Sequence, residues 1–191
     1  PKSGALKDLV EFAKDNTLSV MKQHQIEKVK NDSKFSDLAT LLNVKKKISR
    51  IEVYDNSHTY GFAQVGCMVT VTPRGFDKNS YRIFNIKDAA KHDDYGMLRE
   101  VLTRRLKGLD QANYPDIMVI DGGKGQLSVA CDVVKSFGID DIKLIAVAKG
   151  ENRNAGREVL YTDDGQVIKL PKDDEKLHFI QFIRNEVHRF A

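Results

Sequence analysis

A strand–helix–strand unit in the middle of the chain constrains the fold more than any other feature. The stretch "DIMVID" is a short apolar run, and "GQLSVACDVVKSFG" has apolar residues at helical spacing before it closes at Gly138. A second apolar run, "IKLIAVAKG", follows. Because a strand that follows a crossover helix usually pairs parallel to the strand before it, this unit predicts two parallel strands covered by a helix.

Segments on both sides extend this unit into a mixed sheet. Three β-branched segments with short connections predict an antiparallel meander: "ISRIEVYD", "AQVGCMVTVT" and "SYRIFNI". Apolar residues at helical spacing predict two helices, "DDYGMLREVLTRRLKGL" and "DEKLHFIQFIRNEVHRFA". Between them, "EVLYTDDGQVIKL" predicts a hairpin with Asp-Gly in its turn. The order resembles that of the ribonuclease H-like fold. We therefore predict an α/β fold, with three antiparallel strands followed by parallel strands and helices on the flanks.

The first part of the chain differs in kind from the rest. Two clusters of apolar residues recur there at helical spacing: Leu6, Leu9, Val10 and Ala13, and then Phe35, Leu38, Leu41 and Leu42. We predict a small helical appendage or linker region over residues 1–47 and a ribonuclease H-like domain over residues 48–191.

Composition sets the expected surroundings. The chain has 191 residues, a formal net charge of +4 and a sequence pI near 9.0, a mild excess that is compatible with a polyanionic partner. Cys67 and Cys131 lie in apolar surroundings without metal-type spacing, which predicts reduced thiols. No apolar run approaches the roughly 18 residues of a membrane span, and the first residues lack a secretory core. We expect a cytoplasmic monomer without a membrane partner.

The stretch "VIDGGKGQLSVA" ends an apolar strand on Asp121 and places glycines and Lys124 directly behind it. It lacks the spacing and the hydroxyl of a phosphate-binding P-loop. Gly122 and Gly123 suit a tight strand-to-helix turn. Asp121 is then either the N-cap of the helix or a ligand, and the loop alone does not separate the two.

Asp55 favours the ligand interpretation. "IEVYDNSH" predicts that the first strand ends on Asp55, as the later strand ends on Asp121. If the strands are neighbours, the two carboxylates repel each other unless a cation lies between them. Oxygen ligands of this kind suit Mg²⁺ or Mn²⁺, which take further ligands from phosphate oxygens. The pair therefore predicts a metal-dependent phosphodiester site.

The final helix supplies a third candidate, His188, which follows Val187 of the apolar stripe. An imidazole pointing at the strand ends can ligate the metal or exchange a proton. The alternative, favoured by spacing alone, is a histidine stabilised by the dipole at a helix C-terminus. His58 and His92 are lesser candidates.

Further charged residues are candidates for the rim of the site. Of the acids Asp93 and Asp94 at a helix start, one is explained by capping and the other can be an outer ligand. Five basic residues can contact a phosphate backbone if they converge, although each also suits a solvated face: Lys124, Arg99, Arg104, Arg105 and Arg184.

Five motifs occur in the order found in the UvrC family: "IEVYDNSHTYG", "DDYGMLREVLTRRL", "PDIMVIDGGKGQLSVA", "AVAKG" and "IRNEVHRFA". The chain resembles the C-terminal half of UvrC, the incision subunit of the bacterial UvrABC excision nuclease. The resemblance implies a divalent-metal-dependent endonuclease that cuts DNA 5′ to a lesion in nucleotide excision repair. It also implies lesion-bearing double-stranded DNA and UvrB as partners, with UvrA reached through the repair complex.

The resemblance also carries residue roles. The catalytic and metal-binding set of the family falls on Asp55, Asp121 and His188, and a further acidic position falls on Asp94. Two residues depart from the family pattern: Asn56 stands where an aliphatic residue is usual, and His92 where a small residue is expected. Two other functions remain open. One is a non-catalytic nucleic-acid-binding module of the same shape, and the other is a related nuclease acting on RNA hybrids or junctions.

Overall fold

The computed structural model describes residues 31–59, 63–90, 93–149 and 158–191. Within these ranges, eight strands form one sheet: β1 (Ile51–Thr59), β2 (Ala63–Thr72), β3 (Gly75–Phe76), β4 (Arg82–Asn85), β5 (Ile117–Asp121), β6 (Lys143–Ala148), β7 (Val159–Thr162) and β8 (Val167–Lys169). The helices are α1 (31–41 as described), α2 (Asp94–Lys107), α3 (Lys124–Ser136) and α4 (Glu175–Phe190). Two short 3₁₀ turns cover Lys78–Ser80 and Gln111–Asn113.

The predicted mixed sheet is confirmed. Its order is β3-β2-β1-β5-β6-β7-β8, and β4 pairs with β2 beside β3. Strands β1, β5 and β6 run parallel, while β2, β3 and β4 form the antiparallel part. The predicted hairpin β7–β8 joins the sheet antiparallel to β6, and its turn contains Gly165 with a φ of 85°.

The prediction that β1 ends on Asp55 is wrong. Pairing between β1 and β5 stops at Tyr54 and Ile120, but pairing between β1 and β2 continues to Thr59. Asp55 therefore lies inside β1, at the point where the strand leaves β5 and continues as one arm of a hairpin. A strand can stop pairing with one neighbouring strand while it still pairs with the other. The sequence of the strand itself does not show where each pairing stops.

The sheet separates two hydrophobic cores. One face is covered by α1 and α4 and carries Val53 and Val119, and we call it the α4 face. The other is covered by α2 and α3 and carries Tyr54 and Ile120, and we call it the α2/α3 face. Asp55 follows Tyr54, and Asp121 follows Ile120. Because side chains alternate along a strand, both carboxylates belong to the α4 face.

Residues predicted to lie in the N-terminal appendage join the core of the α4 face. Phe35, Leu38 and Leu42 are buried there, and the ring centroids of Phe35 and Phe179 lie 5.7 Å apart. The predicted helix around Leu6 lies outside the described residues, so the division at residues 47 and 48 stays a prediction. Within the described ranges, no helix has the length and apolar character needed to cross a bilayer.

Candidate active site

Two neighbouring parallel strands position the acidic residues. Tyr54 and Ile120 are the last paired residues of β1 and β5, so Asp55 and Asp121 follow at the same level of the sheet. Both are largely but not fully buried, and 10% of the Asp55 side chain is exposed. The hydrophobic strands thus place two carboxylates side by side at the edge of the core.

His188 approaches them from α4. Ile183 and Val187 anchor this helix in the core of the α4 face, and His188 follows in the last turn. Its Nδ1 atom lies 2.8 Å from Oδ2 of Asp55, while 66% of the side chain remains exposed. The ring therefore points at the strand edge, as one of the two interpretations of the sequence required.

These three residues form a cluster suited to a cation. One ligand atom from each of Asp55, Asp121 and His188 lies within 4.8 Å of the others. Burial, and next the charge of Asp55, raise the pKa of Asp121 above its usual value. A divalent cation among these atoms would offset both effects, and the donor set of two carboxylates and an imidazole fits such an ion.

The glycine loop behind Asp121 is a strand-to-helix turn with a cap of its own. Gly123 is the N-cap of α3, and its N–H donates to Oε1 of Gln126 at 3.0 Å. The N–H of Gly122 donates to the Val147 carbonyl at 3.2 Å. Since Gln126 and the loop backbone make these contacts, the capping alternative for Asp121 does not hold, and its carboxylate is left facing the site.

The start of α2 is tied to the same edge of the sheet. Asp93 is the N-cap, and its Oδ1 accepts the Gly96 N–H at 2.8 Å, which confirms that capping explains one of the two acids. Asn56 donates from Nδ2 to the Asp94 carbonyl at 3.2 Å. The departure at Asn56 therefore links the residue after Asp55 to the first turn of α2. His92 lies outside the described residues.

The structure does not bring most of the candidate basic residues to the acidic cluster. Three of them lie on α2, on the opposite face of the sheet. Arg105 is paired with buried Glu52 at 2.5 Å, and Arg104 donates to the Asn85 carbonyl at 2.6 Å. Arg99 faces Asp132 on α3 at 3.5 Å.

Two further candidates, Lys124 and His58, are not seen at the acidic cluster among the described contacts. The Lys124 Nζ lies 5.2 Å from the centroid of the Tyr161 ring, over the α2/α3 face. His58 belongs to β1, but its side chain is outside what the structure describes. Whether either residue contacts nucleic acid stays a prediction.

Two other cations do act on Asp121. Arg184 and Lys149 both lower the pKa of Asp121, partly opposing the effect of burial. Arg184 precedes His188 by one turn of α4 and pairs with buried Glu158 at 3.3 Å. Lys149 is not among the residues predicted from the sequence, although it belongs to the motif "AVAKG". Because Val147 pairs with Asp121 in the parallel register, a residue two positions beyond Val147 belongs to the face of the site.

Comparison with known proteins identifies relatives. The sequence profile described as the UvrC RNase H endonuclease domain matches residues 39–191. UvrABC system protein C from Paramagnetospirillum magneticum is 42% identical over the whole chain, which covers 32% of that relative. The corresponding protein from Zymomonas mobilis is 40% identical over the whole chain, which covers 30% of it. The chain thus spans about a third of the length of the curated relatives it matches.

Solved structures give weaker likenesses. Endonuclease V from Ciona intestinalis, in complex with inosine-containing DNA, matches with 16% identity and a TM-score of 0.41, over 55% of this chain and 47% of that one. Endonuclease V from Bacillus subtilis matches with 11% identity and a TM-score of 0.40, over 74% and 79%. Scores of this size carry no functional information.

Proposed function

Since the chain belongs to the UvrC family, within its ribonuclease H endonuclease domain, we propose that it hydrolyses a DNA phosphodiester in a divalent-metal-dependent reaction. The observation that carries this proposal is the convergence of Asp55, Asp121 and His188 from three separate elements. The hydrolysed bond would be the one cut 5′ to a lesion in nucleotide excision repair. Lesion-bearing duplex DNA and UvrB would be the partners, with UvrA reached through the repair complex.

The acidic cluster would hold the metal, with Mg²⁺ or Mn²⁺ as the expected ion. When bound, such an ion lowers the pKa of a water and neutralises charge on the phosphate. Carboxylate oxygens of Asp55 and Asp121 are the main ligands in this proposal. The monomeric state and the cytoplasmic location expected from the sequence remain parts of the proposal.

His188 has a defined position for proton transfer or ligation. In a neutral imidazole whose Nδ1 donates its hydrogen to Oδ2 of Asp55, the lone pair of the ring would be on Nε2. Asp55 would therefore orient the ring and set its tautomer. Nε2 can then either complete the ligand set or accept a proton from the attacking water, because most of the side chain is open to solvent.

Lys149 and Arg184 would supply positive charge that acts on Asp121. Arg184 is held by Glu158 and is 12% exposed, so it acts as a fixed charge. Lys149 is exposed, which leaves its ammonium group able to reach an oxygen of the incoming phosphate. Both residues would attract the scissile phosphate to the carboxylate pair without reacting with it.

Metal binding tests this proposal first. Crystals soaked in Mn²⁺ should show an anomalous peak among the carboxylates of Asp55 and Asp121, and calorimetric titration of Mn²⁺ should lose its signal in Asp55→Asn. Asp164→Asn, which removes an acid on the β7–β8 hairpin, should titrate like the wild type. The absence of a peak, with equal titrations for all three proteins, would exclude a metal site and favour the non-catalytic binding module.

Substrate choice is a separate test. With UvrA and UvrB present, the full-length protein containing this chain should cut a lesion-bearing duplex on the 5′ side. It should cut an RNA–DNA hybrid or a four-way junction far more slowly. Preference for the hybrid or the junction would contradict the repair assignment while leaving the hydrolytic site intact.

A further inference from the structure

We propose that Tyr95, in the first turn of α2, is a stacking position for an unpaired nucleobase next to the cleaved phosphate. This inference rests on the proposed function, since it names how the same site takes hold of the DNA strand. The contacts of Tyr95, its exposure and its place relative to the catalytic aspartates support the proposal.

Tyr95 is exposed but not loosely placed. It is one of the few large hydrophobic side chains in the described ranges that remain open, with 51% of its surface exposed. Its neighbours Met97 and Leu98 are buried, and Leu98 belongs to the α2/α3 core. Single exposed aromatic residues are common on proteins, so exposure alone would carry nothing.

The second observation is the contact between Tyr95 and Gly125. A methyl group added at Gly125 would overlap the Tyr95 hydroxyl and lie 2.7 Å from Cζ of the ring. The end of the tyrosine therefore occupies the space that a residue without a side chain leaves over the first turn of α3. The contact holds one end of the ring and leaves about half of the side chain available to a ligand.

Tyr95 is also linked to both segments that carry the proposed catalytic carboxylates. Asn56, which follows Asp55, bonds to the carbonyl of Asp94, the residue before Tyr95. Gly125 comes four residues after Asp121, in the first turn of α3. The ring is on the α2/α3 face and the carboxylates are on the α4 face, so a DNA strand with a phosphate at the carboxylate pair would have to cross this edge of the sheet to bring a neighbouring base to the ring.

The chemistry of the side chain fits a base more than a phosphate. An aromatic ring stacks on any nucleobase, because every base has a π-face, and such contacts tolerate sequence. That property suits an enzyme that must cut beside many sequences. Because the hydroxyl is directed at Gly125, it is the ring that would stack on the base. A phenylalanine at this position should therefore bind the base as well as tyrosine does.

Equilibrium binding of a fluorescent duplex with a short unpaired bubble tests the inference, measured by anisotropy at fixed salt without cleavage. Tyr95→Ala should weaken binding about tenfold, because one stacked base contributes about 1–3 kcal/mol. Tyr95→Phe should bind within about twofold of the wild type. Phe182→Ala, which removes a 56% exposed aromatic residue from α4, is the matched control and should bind like the wild type.

A double-mutant cycle with Gly125→Ala tests whether the position of the Tyr95 ring matters, because this substitution moves the ring without removing it. The new methyl group should displace the ring and weaken binding in the wild-type background, but change nothing when Tyr95 is already alanine. Circular dichroism checks the fold of each variant, and alanine favours the helix more than glycine does. Additive effects, or Tyr95→Ala binding as tightly as the wild type, would overturn the inference.

Failure of this inference is distinguishable from failure of the proposed function. Mn²⁺ binding at the carboxylates and cleavage by the wild type report on the proposed function, and Tyr95→Ala should leave Mn²⁺ affinity unchanged. If the wild type binds Mn²⁺ and cuts DNA while Tyr95→Ala has normal affinity for the bubble duplex, only the stacking role is wrong.

Discussion

Two carboxylates on β1, three residues apart, have opposite surroundings. Glu52 faces the α2/α3 core and is fully buried. Arg105 and Arg50 pair with it at 2.5 and 2.9 Å, and the Tyr54 hydroxyl donates to it at 2.5 Å. Asp55 faces the other side, where its nearest partner is the largely exposed ring of His188.

The difference separates a charge that is paired inside the protein from one that is available to a ligand. Glu52 is surrounded by two guanidinium groups and a hydroxyl, so its charge is satisfied inside the protein and tethers α2 to β1. Asp55 and Asp121 repel each other at an edge open to solvent, and the pKa of Asp121 is raised by burial and by Asp55. Carboxylates left under-neutralised at an open edge are suited to an external cation.

The largest expected effect concerns the satisfied carboxylate. Glu52→Ala should lower the free energy of unfolding by about 3–5 kcal/mol, because it leaves the largely buried Arg105 without its partner. Urea denaturation measures the loss. Asp132→Ala, which breaks an exposed ion pair with Arg99, should cost less than about 1 kcal/mol. Equal losses in the two variants would remove the contrast between buried and exposed charge.

At the acidic edge of the sheet, we expect a substitution to reduce activity and leave stability intact. Asp121→Asn should reduce cleavage at least about a hundredfold, since even outer-shell changes at metal sites cost 10–100-fold. Because the folded state raises the pKa of Asp121, the ionised form destabilises folding at pH values above that pKa. Thermal unfolding at pH 7 should therefore show an equal or higher midpoint. Normal cleavage, or a clearly lower midpoint, would make Asp121 a structural residue like Glu52.

Lys149 tests whether the acidic edge also binds the DNA substrate. Lys149→Ala should raise KM for DNA about tenfold and reduce the salt dependence of binding by about one phosphate contact. Mn²⁺ affinity should be retained. Lys135→Ala, at the far end of α3 from the glycine turn, is the matched control and should leave KM and the salt slope unchanged. A lower kcat with unchanged KM would instead assign Lys149 to the chemical step.

The smallest effect belongs to an exposed, well-paired acid. A hydrogen bond from Thr162, followed by a contact with Lys143, lowers the pKa of Asp164 to about 2. A lowered folded-state pKa stabilises the protein above the ordinary value of 3.8, and this contribution is lost as the pH falls towards 2. With 41% of the side chain exposed, the contribution should stay below about 1 kcal/mol. Comparing unfolding of the wild type and Asp164→Asn at pH 6 and pH 2 measures it, and a difference that is undiminished at pH 2 would contradict this assignment.

Much of the fold was predictable because periodicity reports burial. The segments now seen as β5, α3 and β6 were predicted as parallel strands around a helix, and the later hairpin was predicted from its Asp-Gly turn. The acids Asp55 and Asp121 stood out because a carboxylate that follows an apolar run has few structural uses. His188 was less certain, because spacing along α4 does not show where the end of a helix points.

The sequence by itself determined which residues alternate into the sheet and which carboxylates lie near the ends of their apolar runs, because those patterns are local. Only the tertiary structure decided the pairing of Glu52 with Arg105, the electrostatic effect of Lys149 on Asp121 and the contact between Tyr95 and Gly125. These contacts join residues far apart in the chain, and their existence depends on how α2, α3 and β6 pack around β1 and β5. Local periodicity identifies the buried side of each element but carries no information about which distant side chain meets it there.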